Sequence, residues 1–122
     1  MQDIDPSTQL PRMHFPGMSA DAATLLVCDR DALGVGIDTL SPDGGSCSAG
    51  TFAVHHAVLG RDRYIVENLC LTAAVPARGA TVFVAPLNVA GAPEAPARVW
   101  VMLDAKEDQD GYCRVSRVSG VA

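Results

Sequence analysis

The apolar positions of the chain change period several times, and the changes divide it into short elements. Behind Ser19, a good N-cap residue, Ala22, Leu25, Leu26 and Asp29 fall at helical spacing with Asp21 in the first turn. That spacing predicts a helix over residues 20–31, broken at Gly34, and Val35, Gly36 and Ile37 then read as a short buried strand. Residues 38–50 are rich in Ser, Pro, Asp and Gly, a loop of a length usually kept for function. The spacing of Phe52, His55, His56 and Leu59 predicts a helix over 52–59 with Gly60 as its C-cap. Residues 64–69 (YIVENL) predict a strand, and 72–78 a short helix or turn ending at Gly79. Residues 80–85 form a strand dense in β-formers, 88–97 a Pro/Gly/Ala linker, and 98–103 the strongest strand. Residues 1–13 are polar and irregular, and Pro16 with Gly17 marks a turn. Residues 104–122 form a polar tail in which Val115 and Val118 offer a weak edge.

Helix, strand, helical segment and further strands predict an α/β fold, a mixed sheet with flanking helices. The expected organisation is an irregular segment (1–13), a main domain (14–103) and a polar tail (104–122). A length of 122 residues bounds the chain to one domain with enough apolar content for a core.

Charge narrows the partners. Fourteen Asp and Glu stand against nine Lys and Arg with no basic run, which argues against nucleic acid or an anionic membrane surface. The four cysteines, Cys28, Cys47, Cys70 and Cys113, form no CxxC pair, so a thiolate zinc site is not expected. The first residues carry no basic-then-apolar leader, and no apolar run is long enough to span a bilayer. Cytoplasmic location with free thiols is the expectation.

The candidate chemistry lies in His55 and Glu67. Glu67 falls inside an apolar run, and strand alternation would place it with Ile65 and Leu69 on one face. A carboxylate there requires a charged partner. A metal ion sharing a neutral imidazole is one such partner, and one of the arginines is the other. His56, adjacent to His55, cannot face the same way on a helix and reads as a surface histidine. Asp38, at the end of a predicted strand, sits where α/β folds place ligands, or it closes the following turn with Thr39 or Ser41. Trp100 reads as core or interface.

Several words add a resemblance. GVGIDTLSPDGGS (34–46), VHHAVL (54–59) and IVENL (65–69) resemble the cyclase family of metal-dependent amide hydrolases, which includes bacterial kynurenine formamidase and isatin hydrolase. PRMHFPGMSADAA (11–23) is similar to the segment that precedes the GIDT strand in the isatin-hydrolase branch. The likeness runs from about residue 11 to about residue 103 in the same order. It implies the second half of a swivelling β/β/α domain, with His55 and Glu67 as metal ligands and manganese or zinc as the ion. It also implies that His14 and Phe15, unless His14 only docks the N-terminal segment, border the substrate pocket together with Ser46 of Asp43-Gly44-Gly45-Ser46, which matches the family's DxGxS loop, and Asp38 joins these pocket candidates from its place at a strand end.

The family's His-x-Gly-Thr-His-x-Asp motif and its acid–base histidine have no counterpart among the three histidines His14, His55 and His56. The chain therefore looks like a C-terminal half, with no catalytic residue of its own. Completed by an N-terminal half it would open a cyclic or N-formyl amide, isatin-like lactams and formylkynurenine both being open. Alone it would be a non-catalytic binding module or partner subunit, or the product of an interrupted gene. Uncovered apolar strand faces such as Val82–Val84 and Val99–Val101 predict a homo- or hetero-oligomer.

Overall fold

A computed structural model describes residue 4 and residues 13–45, 51–70, 75–103, 106–107, 113–114 and 117–121, the last three stretches as backbone. The chain gathers into two compact units, Met1–Asn68 and Leu69–Ala122. The boundary lies inside the 14–103 span, after the segment that carries Glu67.

In the first unit, helix α1 (Ala20–Thr24) starts where the Ser19 side chain accepts the Ala22 N–H at 3.1 Å. The sequence predicts one α-helix over 20–31, but from Leu25 to Asp29 the helix widens into π geometry. Its signature is the Arg30 N–H donating to the Leu25 carbonyl at 3.1 Å, five residues back. The chain leaves this helix through Asp31 in the left-handed region, φ 50°, and the Arg63 guanidinium holds the Asp31 carboxylate at 2.5 Å.

Strand β1 (Gly34–Gly36) lies parallel to β2 (Tyr64–Val66), with Val35 opposite Ile65. The pairing continues past both strands, since the Ile37 N–H reaches the Val66 carbonyl and the Asn68 N–H the Thr39 carbonyl, each at 2.9 Å. A Cβ on Gly34 would stand 2.4 Å from the Tyr64 ring, so any larger residue there has to displace that side chain. The strand expected over 64–69 is therefore short, and Glu67 stands just past its end.

Between the two strands runs α2 (Ala53–Leu59). The helix is where periodicity places it. Val54 and Val58, four residues apart, are the buried pair, whereas Phe52 and Leu59 are 51% and 50% exposed. The side that carries Phe52, His55, His56 and Leu59 is the more exposed one, since two branched aliphatics fill the core better than two imidazoles would. Ala23, Val27, Val35, Val54 and Val58 form the core of the unit, with Met18, Leu26, Ala57 and Ile65 packed around it. Gly60 caps α2 with right-handed geometry, φ −63°, rather than as a left-handed stop, and its N–H returns to the His56 carbonyl at 3.2 Å.

The second unit is antiparallel. Strand β3 (Ala80–Pro86) pairs with β4 (Ala97–Leu103), and β7 (Arg117–Val121) adds to the other side of β4. A two-residue ribbon, β5 (Lys106–Glu107) with β6 (Cys113–Arg114), precedes β7. The polar tail thus supplies an edge strand, in which Val118 stands opposite Val101, while Val115 lies outside the described residues. The expected helix or turn at 72–78 lies partly outside them as well. Val99 and Val101 are buried, whereas Val82 is exposed. On the opposite face Trp100 stacks on Phe83, ring centroids 5.5 Å apart, and both rings remain partly exposed.

Helices with parallel and antiparallel pairing make the chain α/β, the class expected from the order of its elements. Among the described residues no helix is long and apolar enough to cross a membrane.

Candidate functional site

The C-terminal ends of β1 and β2 point the same way, and α/β folds collect ligand-binding groups at such ends. The loop leaving β1 delivers Asp43, the chain leaving β2 delivers Glu67, and the first turn of α2 carries His55 between them.

The start of α2 explains Asp43. A helix leaves its first N–H groups without intrahelical partners, and Ser, Thr, Asp or Asn at the N-cap usually meets them. Here the N-cap is Phe52, in the left-handed region at φ 32°, and it offers no side-chain acceptor. Asp43 does the work from eleven residues upstream: Oδ1 accepts the Val54 N–H at 2.8 Å and Oδ2 the His55 N–H at 3.2 Å. The same Oδ2 lies 2.5 Å from His55 Nδ1.

The loop that presents Asp43 is itself braced. Thr39 Oγ1 donates to the Ser41 carbonyl, and the Asp43 N–H donates to Ser41 Oγ. The segment around Phe15 then lies against this loop. The Gly45 N–H donates to the Phe15 carbonyl at 3.0 Å, and the Met18 N–H to the Pro42 carbonyl at 2.8 Å. Gly17 and Gly45 make the approach possible, since a Cβ on Gly17 would meet Gly44 N at 2.4 Å and one on Gly45 would meet the Met13 carbonyl oxygen at 2.1 Å.

On the other side of the imidazole, His55 Nε2 stands 3.4 Å from Glu67 Oε1. The side chains of His55 and Glu67 are 28% and 25% exposed, while that of Asp43 is 4% exposed. Glu67 is thus half-buried rather than sunk in the core, because it follows β2 instead of lying within it. Phe52 approaches the His55 ring edge-on, ring centroids 5.6 Å apart. Arg63, a conceivable partner for Glu67, is engaged with Asp31.

Burial opposes ionisation of Asp43. The hydrogen bond from the His55 ring, those from the Val54 and His55 N–H groups, and the charge of the imidazole outweigh it and hold the carboxyl below its usual value. A carboxyl with a depressed folded-state value stabilises the fold above the unfolded value, about 4, and that contribution is lost as pH falls through the folded value. The melting temperature of the first unit is therefore expected to drop in acid, and Asp43→Asn to flatten that acid limb. Melting curves at stepped pH check this, and equal acid slopes for the two proteins would contradict it.

The other pocket candidates are placed as follows. Phe15 is half-buried, with its carbonyl on Gly45, and His14 beside it is exposed. Asp38 is exposed, and the turn after it is closed by Thr39 and Ser41. His56 points to the surface. Ser46 lies outside the described residues. The structure therefore brings His55 and Glu67 together, and it places the Phe15 segment against the loop that carries Asp43. It adds Asp43, to which periodicity and spacing assign no role. The signal that could have found it is the poor N-cap at Phe52, which calls for a carboxylate from elsewhere.

A divalent ion bound at about 2.1 Å by a His nitrogen and a carboxylate oxygen separates those atoms by roughly 3.0–3.4 Å for coordination angles between octahedral and tetrahedral. The spacing of His55 Nε2 and Glu67 Oε1, 3.4 Å, suits two such ligands. Among the described residues no three His, Cys, Asp or Glu side chains gather as a metal set, since Asp43 lies on the far side of the ring. No protein-family model, curated protein or solved structure matches the chain.

Proposed function

We propose that the chain is one half of a divalent-metal-dependent amide hydrolase of the cyclase type, with His55 and Glu67 as its two metal ligands. The observation that carries this reading is the 3.4 Å spacing of His55 Nε2 and Glu67 Oε1 at the C-terminal ends of a parallel strand pair. When bound, manganese or zinc would polarise the carbonyl of a cyclic or N-formyl amide and supply hydroxide. The chain's own residues hold and orient: α2 fixes the imidazole, β2 delivers the carboxylate, and Phe52 presents an apolar wall beside them. A polypeptide bearing His-x-Gly-Thr-His-x-Asp would bring the remaining ligands and the acid–base group. The exposed Phe83, Trp100 and Met102 on the sheet of the second unit support an assembly, homo- or hetero-oligomeric. Exposed free thiols at Cys28 and Cys70 suit a reducing cytoplasm.

Manganese titration of the purified chain, followed by loss of the free-ion EPR signal, tests the ligand pair. One site per chain is expected, with His55→Ala and Glu67→Ala each weakening it at least tenfold, roughly the loss of one bond to the ion. Binding that neither substitution weakens, or no binding at millimolar manganese, would remove the metal reading. In that case His55 is an ion-pair bridge between Asp43 and Glu67 in a non-catalytic partner subunit. The two carboxylates flanking the ring favour that second reading.

A further inference from the structure

From the geometry around the ring we infer that Asp43 is a positioning residue, which fixes the proton of His55 on Nδ1 and so turns the Nε2 lone pair toward Glu67. The inference rests on the metal reading for its purpose, though not for its geometry.

The His55 ring touches a carboxylate on each side, and the two contacts differ. Asp43 Oδ2 lies 2.5 Å from Nδ1, a close hydrogen bond, whereas Glu67 Oε1 lies 3.4 Å from Nε2. An ionised carboxylate only accepts hydrogen bonds, so the ring nitrogen facing Asp43 must carry the hydrogen. When the ring is neutral it carries one hydrogen, and Nε2 is then left with its lone pair.

Asp43 is able to impose this because it is itself immobile. Its side chain is 4% exposed, and its two oxygens take three donors, the N–H of Val54, the N–H of His55 and the ring. One oxygen, Oδ2, holds both the backbone N–H of His55 and the ring of the same residue. That chelate ties the rotamer of the imidazole to the backbone of α2. The helix start, the ring orientation and the ring tautomer are therefore set by a single carboxylate.

The consequence appears on the other side. The Nε2 lone pair and the Glu67 carboxylate face each other across 3.4 Å, an arrangement that a cation between or beside them relieves. Metal-ligating histidines commonly donate their second ring nitrogen to a carboxylate in this way, and loss of that partner weakens metal binding by about 10–100-fold. Asp43 supplies the corresponding contact in this chain without being a ligand.

Long-range proton–nitrogen NMR of the metal-free chain, at a pH where the ring is neutral, reads the tautomer directly. The wild type is expected to show Nδ1–H with a bare Nε2. Asp43→Asn keeps the shape but can present an amide N–H to Nδ1, and it is expected to shift the population toward Nε2–H and to weaken manganese binding by about 10–100-fold. Glu67→Gln is expected to keep the wild-type tautomer while losing the metal. Nε2–H in the wild type, or an unchanged tautomer in Asp43→Asn, overturns the inference. Should Asp43→Asn fail to fold, the wild-type spectrum alone decides between the two tautomers. A wild type that shows Nδ1–H and binds no metal upholds the positioning role and sinks the metal reading, so the two failures are distinguishable.

Discussion

Gly45→Ala is expected to destabilise the first unit by about 2–4 kcal/mol and to weaken the manganese binding proposed for His55 and Glu67. The added Cβ would stand 2.1 Å from the Met13 carbonyl oxygen and 2.5 Å from its carbon. Both are backbone atoms, so no flexible side-chain end can move aside. Either the 3.0 Å bond from the Gly45 N–H to Phe15 breaks or the loop shifts, and Asp43 lies only two residues upstream. The N–H groups of Val54 and His55 then lose their acceptor, and the ring loses its anchor. Gly79→Ala is the control, since a Cβ there meets nothing within 4 Å and only the positive φ of 81° opposes it. Its expected cost is about 1–2 kcal/mol, with no effect on the metal. Denaturant midpoints and the manganese titration measure both. A Gly45→Ala protein within about 0.5 kcal/mol of wild type would mean that the loop is not held by this contact.

The purified chain alone is expected to hydrolyse neither isatin nor N-formylkynurenine, with or without added manganese or zinc. Catalytic metal sites take three or more protein groups and keep a position open for water or substrate. The two proposed ligands alone would leave a bound ion mostly solvated and a substrate carbonyl without a fixed place beside it. Since enzymes in general supply on the order of a millionfold or more over water, the difference between no site and a complete one is measurable by absorbance alone. Mixing with a polypeptide that carries His-x-Gly-Thr-His-x-Asp is expected to restore turnover, and His55→Ala to abolish it again. Turnover by the unmixed chain that vanishes on chelation would show that other groups of this polypeptide complete the site.

Much of the first unit is legible in the order of its residues. Ser19 starts a helix, Gly34 separates that helix from a short strand, and the period of residues 52–59 places α2 within a residue. The convergence of His55 and Glu67 also follows from local signals, a helix stopped at Gly60 and a three-residue turn into β2. Four features escape such a reading, each for a physical reason. The π-helical turn at Leu25–Asp29 changes the hydrogen-bond span without changing which residues are apolar. The buried face of α2 depends on what it packs against, and Val54 and Val58 meet Ala23, Val27 and Val35 only once the chain has folded. The role of Asp43 depends on a contact across eleven residues, which no periodicity records. The pairing of β7 with β4 is likewise non-local, and its polar composition gives a weak strand signal.

The shared use of one carboxylate has a thermodynamic consequence. Asp43 holds the first N–H groups of α2 with the same carboxylate whose Oδ2 holds the His55 ring. Fraying of that helix and release of the imidazole are therefore one event, not two. By reciprocity, whatever grips Nε2 from the other side must also raise the free energy of opening the helix end, and by an equal amount. Occupancy at the mouth of the strands is in this way written into the backbone of a seven-residue helix, which makes order along α2 a gauge of what the site contains.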